Sequence, residues 1–295
     1  MISAGIRDLK NRLSYYLREV KKGEKILITE RDQVIATILP VDRGEEDSRL
    51  LSLVKEGFAT WKGGKPTGSL KAGSAVSGLL AVPAGQDGPA TEIPYTVIHG
   101  AKRGPVLALV AGVHAYEYPP ILALYRLKAK IDPGTLRGTV IMVHIANLPS
   151  FKKRTIYYGP VDWKNLNRVF PGDRQGTASQ RIAAVLNEEV VGRADALVDM
   201  HCGDGNEALI PYTYWMISGD GAFDEKTRGL ALAFGLPHII IDDTRGNDLK
   251  ESKYLGNTAI LRGKAAITTE AGFLGRVVIK MLREITYGQA IGEAL

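Results

Sequence analysis

Four side chains of this sequence have the types and spacing of a hydrolytic metal site. His114 and Glu117 stand three residues apart in the stretch GVHAYEYP, His201 stands in VDMHCGD, and Glu270 stands in ITTEAG. Two histidines and one glutamate are a known ligand set for catalytic zinc, which keeps one further position open. Zinc lowers the pKa of its bound water to about 7, and a carboxylate such as Glu270 can take the proton as water attacks a carbonyl. We therefore expect one Zn²⁺ per chain.

The elements around these residues predict that they meet. Each of the stretches PVLALVAGVH, DALVDMHC and AAITTEAG is a short apolar run of the kind that forms a buried strand. In open α/β sheets, ligands bind outside the carboxyl ends of the strands. Three strand ends therefore bring the metal-competent and catalytic side chains to one edge of the sheet.

The other histidines and the single cysteine are predicted to be structural. His99, His144 and His238 lie within or beside apolar strands. Cys202 directly follows His201, so it points to the opposite face of the strand and is expected to be a small buried apolar residue. One cysteine allows no intrachain disulfide, which fits a reducing cytoplasm.

A second motif, KNLNRVFPG, supplies groups that could hold a substrate. It contains Asn167 next to Arg168 in an otherwise apolar loop. Arginine binds a carboxylate with two parallel hydrogen bonds, and asparagine can add a donor. Upstream, Arg154 in FKKRTIYYGPVD could place positive charge at the oxygen of the scissile carbonyl. A structural ion pair of the loop arginine is the alternative.

The chain from about residue 73 to 295 alternates strands and helices. Besides the three strands above, TVIMVHIAN and HIIIDD are predicted strands. The predicted helices are PPILALYRLKAKI, ASQRIAAVLNEEVVGRA, DEKTRGLALAFGL and NTAILRG. Nearly continuous apolar strands between helices favour a mostly parallel sheet covered on both faces.

Residues of about 75–275 resemble the succinylglutamate desuccinylase/aspartoacylase family of the zinc carboxypeptidase-like superfamily. The resemblance rests on GVHAYEYP, KNLNRVFPG, DMHCGD and ITTEAG, in that order and at suitable separations. It implies an α/β fold, a three-layer α/β/α domain with a mixed sheet. It also implies that His114, Glu117 and His201 bind zinc.

The resemblance implies a reaction as well, namely hydrolysis of an amide bond in a small N-acyl amino acid or a related carboxylate-bearing compound. Glu270 would act as the general base and later as the acid, and Arg154 would polarise the carbonyl. Asn167 and Arg168 would hold the substrate carboxylate.

Two features depart from the family pattern. The motif loop reads His-Ala-Tyr-Glu, where a small residue followed by Asn is commoner, so Tyr116 is expected to reshape the entrance. The family usually continues past the catalytic glutamate into a small β-rich domain that closes the site. Here 25 residues follow Glu270, and VVIKMLREITYGQAIGEAL is predicted to be one helix. The sequence does not predict whether the site hydrolyses a substrate without that domain.

Residues 1–43 predict a separate small α+β module. Apolar residues at helical spacing are followed by KILIT and VIATILPV, which predict a β-hairpin. The module resembles Phd/YefM-type antitoxins, which implies a homodimer that binds operator DNA, with Arg7, Lys10 and Arg12 as candidate phosphate contacts. Residues 44–72 are predicted to be a linker or a tail that binds a toxin or another partner.

Two further hypotheses stay open on sequence alone. The chain could act mainly as an antitoxin or transcriptional regulator with a sensory or truncated hydrolase domain, or two adjacent genes could be joined in it. The net charge of +6 permits contact with nucleic acid without requiring it. The beginning, MISAGIRDLKNRL, lacks the apolar run of a signal peptide, and no stretch approaches the length of a membrane span. A cytoplasmic protein that does not bind membranes is therefore expected.

Overall fold

The computed structural model describes residues 2–5, 8, 15–16, 18–19, 22–30, 33–38, 70–203, 207 and 209–271. The chain divides into two compact units, Met1–Glu56 and Gly57–Leu295. The predicted linker over 44–72 and the predicted helix near the C-terminus lie almost entirely outside the described residues. The predicted domain boundaries therefore stay predictions.

The N-terminal unit contains a three-stranded sheet of β1 (Ile2–Gly5), β2 (Ile26–Glu30) and β3 (Gln33–Ile38). Strand β2 lies in the middle, parallel to β1 and antiparallel to β3. Ala4, Tyr16 and Ile26 form a small buried cluster. The antitoxin-like nature of this unit stays a prediction, and Arg7, Lys10 and Arg12 lie outside the described residues.

The second unit contains an eight-stranded sheet. Its strands are β4 (Ser74–Val82), β5 (Thr91–His99), β6 (Lys102–Ala111), β7 (Arg137–Val143), β8 (Ala196–His201), β9 (Tyr212–Met216), β10 (His238–Asp242) and β11 (Ala265–Glu270). The order across the sheet is β10-β9-β11-β8-β6-β7-β5-β4. The central strands β11, β8, β6 and β7 run parallel, so their carboxyl ends share one edge.

Five α-helices accompany this sheet in the described residues: α1 (Tyr118–Lys128), α2 (Leu148–Lys153), α3 (Ala178–Glu189), α4 (Gly221–Phe234) and α5 (Leu255–Leu261). Helices α3 and α5 share one apolar core with Ala108 and Val110 of β6. Leu107 and Leu109, which alternate with those residues along β6, are equally buried. Both faces of the sheet are therefore covered, because successive strand residues point to opposite sides.

The structure confirms the predicted α/β fold with a mixed sheet for the second unit, although the sheet is less parallel than the pattern of strands and helices suggested. Strand β9 is antiparallel to β11, and the β4–β5 hairpin adds two further antiparallel pairings. The sequence analysis placed no strand at β4, β5 or β9. These strands lie toward the two sides of the sheet; several residues of β4 and β9 are only partly buried, and Pro94 and Thr96 interrupt the apolar residues of the buried strand β5. They therefore lack the continuous apolar run that marks a central strand.

Local capping decides where α4 begins. The sequence pattern predicted a start at Asp224, but the helix begins at Gly221 because the carboxylate of Asp220 accepts hydrogen bonds from the backbone N–H groups of Ala222 and Phe223. The predicted helix ran to Leu236, but it ends at Phe234 because Gly235 takes the left-handed conformation. Among the described helices, none is long and apolar enough to cross a membrane.

Candidate metal centre

The loop after β6 carries His114 and Glu117. Strand β6 ends at Ala111, and Gly112 follows with φ of +70°. A Cβ atom at Gly112 would lie 3.0 Å from Cα of Ile145, so a side chain there would meet both backbone strain and crowding. The chain then turns tightly, with the N–H of Glu117 donating to the carbonyl oxygen of His114. This turn places both side chains on the carboxyl edge of the sheet.

The neighbouring strands β8 and β11 supply the other two residues. His201 is the last residue of β8, Glu270 is the last residue of β11, and the two are paired across the parallel strands. One ligand atom from each of His114, Glu117 and His201 lies within 4.8 Å of the others. The structure therefore brings together the residues that the sequence predicted to share a site.

Both histidines turn the same nitrogen toward the glutamate. Nδ1 of His114 lies 2.8 Å from Oε1 of Glu117, and Nδ1 of His201 lies 2.9 Å from Oε2 of the same carboxylate. Two imidazole nitrogens and one carboxylate thus converge on one point, in the donor set and number that a catalytic zinc ion takes from a protein. These residues fit such an ion.

The far nitrogen of His201 is held by Asp199, which lies two residues earlier on the same face of β8. Its Oδ1 is 3.0 Å from Nε2 of His201, and the carboxylate is fully buried. The amide nitrogen of Asn167 lies 3.3 Å from the same Nε2. These two contacts fix the orientation of the imidazole ring, in which Nδ1 faces Glu117.

Asn165 and Tyr157 contact the His114 ring and hold it in its orientation. Oδ1 of Asn165 lies 3.1 Å from Nε2 of His114 and also accepts a hydrogen bond from the N–H of Asn167. The ring of Tyr157 meets the His114 ring edge-on, with 5.5 Å between the ring centres. Partners of this kind fix the tautomer and orientation of a metal-binding histidine.

The ionisation of Glu117 reflects the two histidines. Burial by itself would raise the pKa of Glu117, but the charge of His201 and the hydrogen bond to His114 outweigh burial and lower that pKa to about 2. Burial would lower the pKa of His201, whereas the carboxylates of Asp199 and Glu117 raise it well above its ordinary value. The pocket thus stabilises positive charge between its carboxylates, which is the electrostatic condition for binding a cation.

Glu270 differs from Glu117 in its surroundings. Burial raises the pKa of Glu270 to about 7, and the neighbouring carboxylates of Glu117, Asp199 and Glu207 add to the rise while His201 opposes it. Oε2 of Glu270 is buried and has no hydrogen-bond partner in the described part of the chain. A carboxylate without a partner beside a metal-competent cluster has the position and the capacity to accept a proton.

Of the predicted substrate residues, Asn167 contacts this centre. The side-chain oxygen of Asn167 accepts from the N–H of Leu255, at the start of α5, so its amide nitrogen faces His201. Arg168 follows it and is exposed, with its guanidinium group 4.7 Å from the ring centre of Tyr254. Arg154 is exposed and ends α2 in the left-handed conformation, three residues before Tyr157, which contacts His114.

Comparison with known proteins identifies the family to which this chain belongs. Residues 103–288 match the family model described as the succinylglutamate desuccinylase/aspartoacylase catalytic domain. The chain belongs to the succinylglutamate desuccinylase/aspartoacylase family. The match covers more than half of the chain and includes His114, Glu117 and His201, the Asn-Arg loop and Glu270.

Individual members of the family are similar over the same region. N-alpha-acetyl-L-2,4-diaminobutyric acid deacetylase from Halomonas elongata is 32% identical over 201 residues, which are 66% of this chain and 56% of that protein. The chain thus spans little more than half the length of this curated relative. The crystal structure of an aspartoacylase family protein from Mesorhizobium loti has a TM-score of 0.65 and 28% identity, covering 77% of this chain and 69% of that one.

A second solved structure carries a ligand. The product-bound ectoine utilization protein EutE (DoeB) from Ruegeria pomeroyi has a TM-score of 0.63 and 26% identity, covering 76% of this chain and 70% of that one. Together with the family model, these likenesses support the mixed α/β architecture of the second unit.

The remaining sequence expectations concern Cys202 and the histidines outside the metal cluster. Cys202 is buried, as predicted for a small apolar residue. His144 is buried and contacts Thr96, His99 contacts Thr139, and His238 is exposed on the edge strand β10. A cavity of about 280 Å³ lies between α2, α3 and the loop 159–162, but His114, Glu117, His201 and Glu270 do not line it. This cavity is therefore separate from the candidate metal centre.

Sequence reasoning missed the residues that orient the histidines. Asp199 could have been found, because the Asp-x-His spacing on a predicted strand puts both side chains on one face. Asn165 could have been suspected from its place in KNLNRVFPG, but its contact with His114 joins residues that are 51 positions apart. Tyr157 had no sequence signal beyond its aromatic character.

Proposed function

We propose that this protein is a zinc-dependent hydrolase that cleaves the amide bond of a small N-acyl amino acid. The observation that carries the proposal is the convergence of Nδ1 of His114, Nδ1 of His201 and the Glu117 carboxylate, each far ring nitrogen being held by a buried or partly buried oxygen. The substrate of the Halomonas relative, an N-acetylated amino acid, supports the same substrate class. The Asn-Arg loop beside the centre supports a substrate with a carboxylate.

In this proposal His114, Glu117 and His201 hold one Zn²⁺ per chain. When bound, the ion would polarise the scissile carbonyl and lower the pKa of water. Asp199 and Asn165 keep the two imidazole rings in the orientation in which Nδ1 faces the site. Their work is positional, because they contact the ligands and not the reacting atoms.

Glu270 moves the proton. Its unpartnered Oε2 accepts a proton from the attacking water, and the same carboxyl then gives the proton to the nitrogen of the leaving amine as the amide bond breaks. The products are the free carboxylic acid and the free amino acid. The proton balance closes within this one residue, so no second acid is needed.

Arg154 and Arg168 each stabilise one negative charge of the substrate. Arg154 stabilises the negative charge that develops on the carbonyl oxygen, and Arg168 with the amide nitrogen of Asn167 holds the carboxylate of the amino acid. Asn167 is ready for this role because the N–H of Leu255 occupies its oxygen and so fixes which way the amide points.

Metal analysis of the purified full chain tests the proposal. We expect about one zinc ion per chain and hydrolysis of at least one compound in a panel of N-acyl amino acids. His114→Ala should lose both the metal and the activity, whereas His238→Ala, at an exposed position on β10, should keep both. Absence of zinc from the wild-type protein, with unchanged ligand binding in His114→Ala, would contradict the proposal.

Glu270→Gln separates the metal from the chemistry. The amide is nearly isosteric with the carboxyl but cannot accept the proton, so turnover should fall by a factor of about 10² to 10⁴ while zinc stays bound. A variant that loses zinc as well would assign Glu270 to the metal site and not to proton transfer.

No observation favours the alternative regulatory function. The candidate DNA contacts Arg7, Lys10 and Arg12 lie outside the described residues. We therefore propose the hydrolase function and not the regulatory one.

A further inference from the structure

The cavity of about 280 Å³ lies outside the candidate metal centre and has the character of a binding site of its own. It is bounded by the end of β4, the start of β5, helices α2 and α3, and the loop 159–162. Its walls are mainly apolar and include Val82, Pro149, Val161 and Ile182. Sites for small molecules combine such walls with a few polar groups that fix orientation. The volume suits a small organic molecule.

One polar group of the cavity wall is buried and has no partner. Asn147 is 1% exposed, and its side-chain oxygen accepts a hydrogen bond from the N–H of Ser150, in the first turn of α2. Because an N–H can donate only to the amide oxygen, this contact assigns Nδ2 as the other end of the side chain. Nδ2 of Asn147 makes no hydrogen bond within the described residues. A buried donor without an acceptor is unfavourable, and a ligand could supply the acceptor.

Two charged side chains of the wall already have partners. Arg181 donates to the carboxylate of Asp87 and to two backbone oxygens. The carboxylate of Asp162 accepts hydrogen bonds from the N–H and the hydroxyl of Ser179, and from the N–H of Lys164. Neither Arg181 nor Asp162 therefore needs a ligand, because protein groups satisfy both.

Two lysines add positive charge at the cavity. Lys152 and Lys153 lie in the last turn of α2, line the cavity and are exposed. Neither makes a hydrogen bond or an ion pair with its side chain in the part of the chain that the structure describes. Thr91, also on the wall, has a hydroxyl that can donate or accept. The unused donors are thus the amide of Asn147 and two ammonium groups, and the ligand that complements them is an anion.

We propose that this cavity is a second binding site, for a small carboxylate with a compact apolar body. The carboxylate accepts a hydrogen bond from Nδ2 of Asn147, and the ammonium groups of Lys152 and Lys153 attract it. The apolar body lies against Val82 and Ile182, which excludes water from it. The site is distinct from the one proposed for hydrolysis, and the inference does not depend on turnover.

A single loop separates the cavity from the metal centre. Its residues 159–162 line the cavity, whereas Tyr157 and Asn165, on either side of them, contact His114. The loop closes on itself, since the N–H of Gly159 donates to the carbonyl oxygen of Lys164. Binding in the cavity must therefore be measured in a way that distinguishes it from binding at the metal centre.

Ligands of nearly equal shape and different charge test the proposal. The probes are cyclohexanecarboxylate, cyclohexanecarboxamide and the cation of cyclohexylmethylamine, each titrated into the full-length protein and followed by NMR. We expect the carboxylate to bind with a dissociation constant of about 1 mM or below, at least about tenfold lower than that of the amide. The amine should not bind detectably. Equal affinities for the three probes, or no binding of the carboxylate, would overturn the proposal.

Variants of the full chain locate the binding. Asn147→Asp keeps an oxygen that caps α2 but removes the donor, so it should weaken binding of the carboxylate by about tenfold or more. Lys152→Gln combined with Lys153→Gln should weaken it by a smaller factor and make it less sensitive to salt, because these charges are exposed. The matched control, Lys102→Gln combined with Lys226→Gln, changes two exposed lysines elsewhere and should bind like the wild type. Wild-type affinity in both cavity variants would contradict the site.

His114→Ala distinguishes the cavity from the metal centre, which could also hold a carboxylate. This variant should keep its affinity for cyclohexanecarboxylate, because His114 does not line the cavity. In wild-type protein with isotope-labelled asparagine, one side-chain amide signal should shift during the titration, and that signal should be missing from the spectrum of Asn147→Asp. Loss of binding in His114→Ala would place the anion at the metal centre and overturn the inference. So would a titration in which the Asn147 amide signal does not move.

Discussion

The carboxylate of Asp199 lies 3.0 Å from Nε2 of His201, two residues further along the same buried strand. Because successive strand residues alternate between faces, this spacing places both side chains on one side of β8 without any loop between them. The carboxylate therefore belongs to the rigid centre of the sheet. It can hold the imidazole ring in one orientation before any ligand arrives.

Asp199→Asn should weaken zinc binding about 10- to 100-fold, the usual cost of removing a group that orients a metal-binding histidine. Competition against a chromophoric chelator measures the affinity without relying on turnover. Asp195→Asn is the matched control, because Asp195 immediately precedes β8 and accepts only a backbone hydrogen bond from Val106. Equal zinc affinity in Asp199→Asn and Asp195→Asn would contradict the role given to Asp199.

Removal of the charge at Arg168 should act on substrate binding. For an N-acyl amino acid, Arg168→Met should raise KM by about tenfold or more, because one charge-assisted carboxylate contact is lost. The carboxamide of the same substrate cannot make that contact and should be nearly unaffected. Steady-state kinetics on the two compounds give the comparison. Arg174→Met, at an exposed arginine paired with Glu188, serves as the control. A similar loss for both compounds would argue against carboxylate binding at Arg168.

Burial of His144 should make stability depend on pH. Its ring stacks on Tyr125 and Nε2 contacts Thr96, and burial, helped by the charge of Lys128, lowers the pKa of His144 to about 3. The unfolded chain takes up a proton near pH 6.5, whereas the folded chain does so only near pH 3. Stability is therefore unaffected above about pH 6.5 and falls as the pH drops below it, by up to about 1.4 kcal/mol per pH unit.

Chemical denaturation at pH 7 and pH 5 tests this dependence. The free energy of unfolding of the wild-type protein should fall by about 2 kcal/mol more between these pH values than that of His144→Gln. His238→Gln makes the same change at an exposed position and should follow the wild type. If the free energy of unfolding of His144→Gln falls between pH 7 and pH 5 as much as that of the wild type, a group other than His144 causes the pH dependence.

Gly172 should tolerate no side chain, although its backbone angle alone does not explain why. Gly172 and Gly219 have nearly equal φ values of +89° and +90°. A Cβ atom at Gly172 would lie 2.1 Å from the backbone nitrogen of Ala184, whereas one at Gly219 would meet nothing within 4 Å. Gly219→Ala should thus cost about 1–2 kcal/mol of strain.

Gly172→Ala should cost at least about 2 kcal/mol more than Gly219→Ala, because α3 must move to make room at the end of the Asn-Arg loop. Thermal and chemical unfolding of the two variants measure the difference. Equal destabilisation would mean that the backbone angle alone requires glycine at this turn.

The sequence by itself determined that His114, Glu117, His201 and Glu270 lie at one edge of the sheet, where the structure brings them together. Local apolar runs marked β6, β8 and β11, and His114, His201 and Glu270 stand at or just after the ends of those runs. Parallel neighbours share one carboxyl edge, so the convergence followed from pattern and topology. The family resemblance rested on the same residues. Local signals were sufficient here because each residue is placed by its own strand.

Only the tertiary structure decided how these residues are oriented and what surrounds them. The contacts of Asn165 with His114, of Asn167 with Leu255 and of Tyr157 with His114 join segments that no periodicity relates. Arg245 shows this most clearly. In the sequence it is one charged residue in a polar loop, whereas in the structure Asp242, Tyr214 and Tyr254 lie around it. Contacts between distant segments depend on packing, and packing is a property of the whole fold.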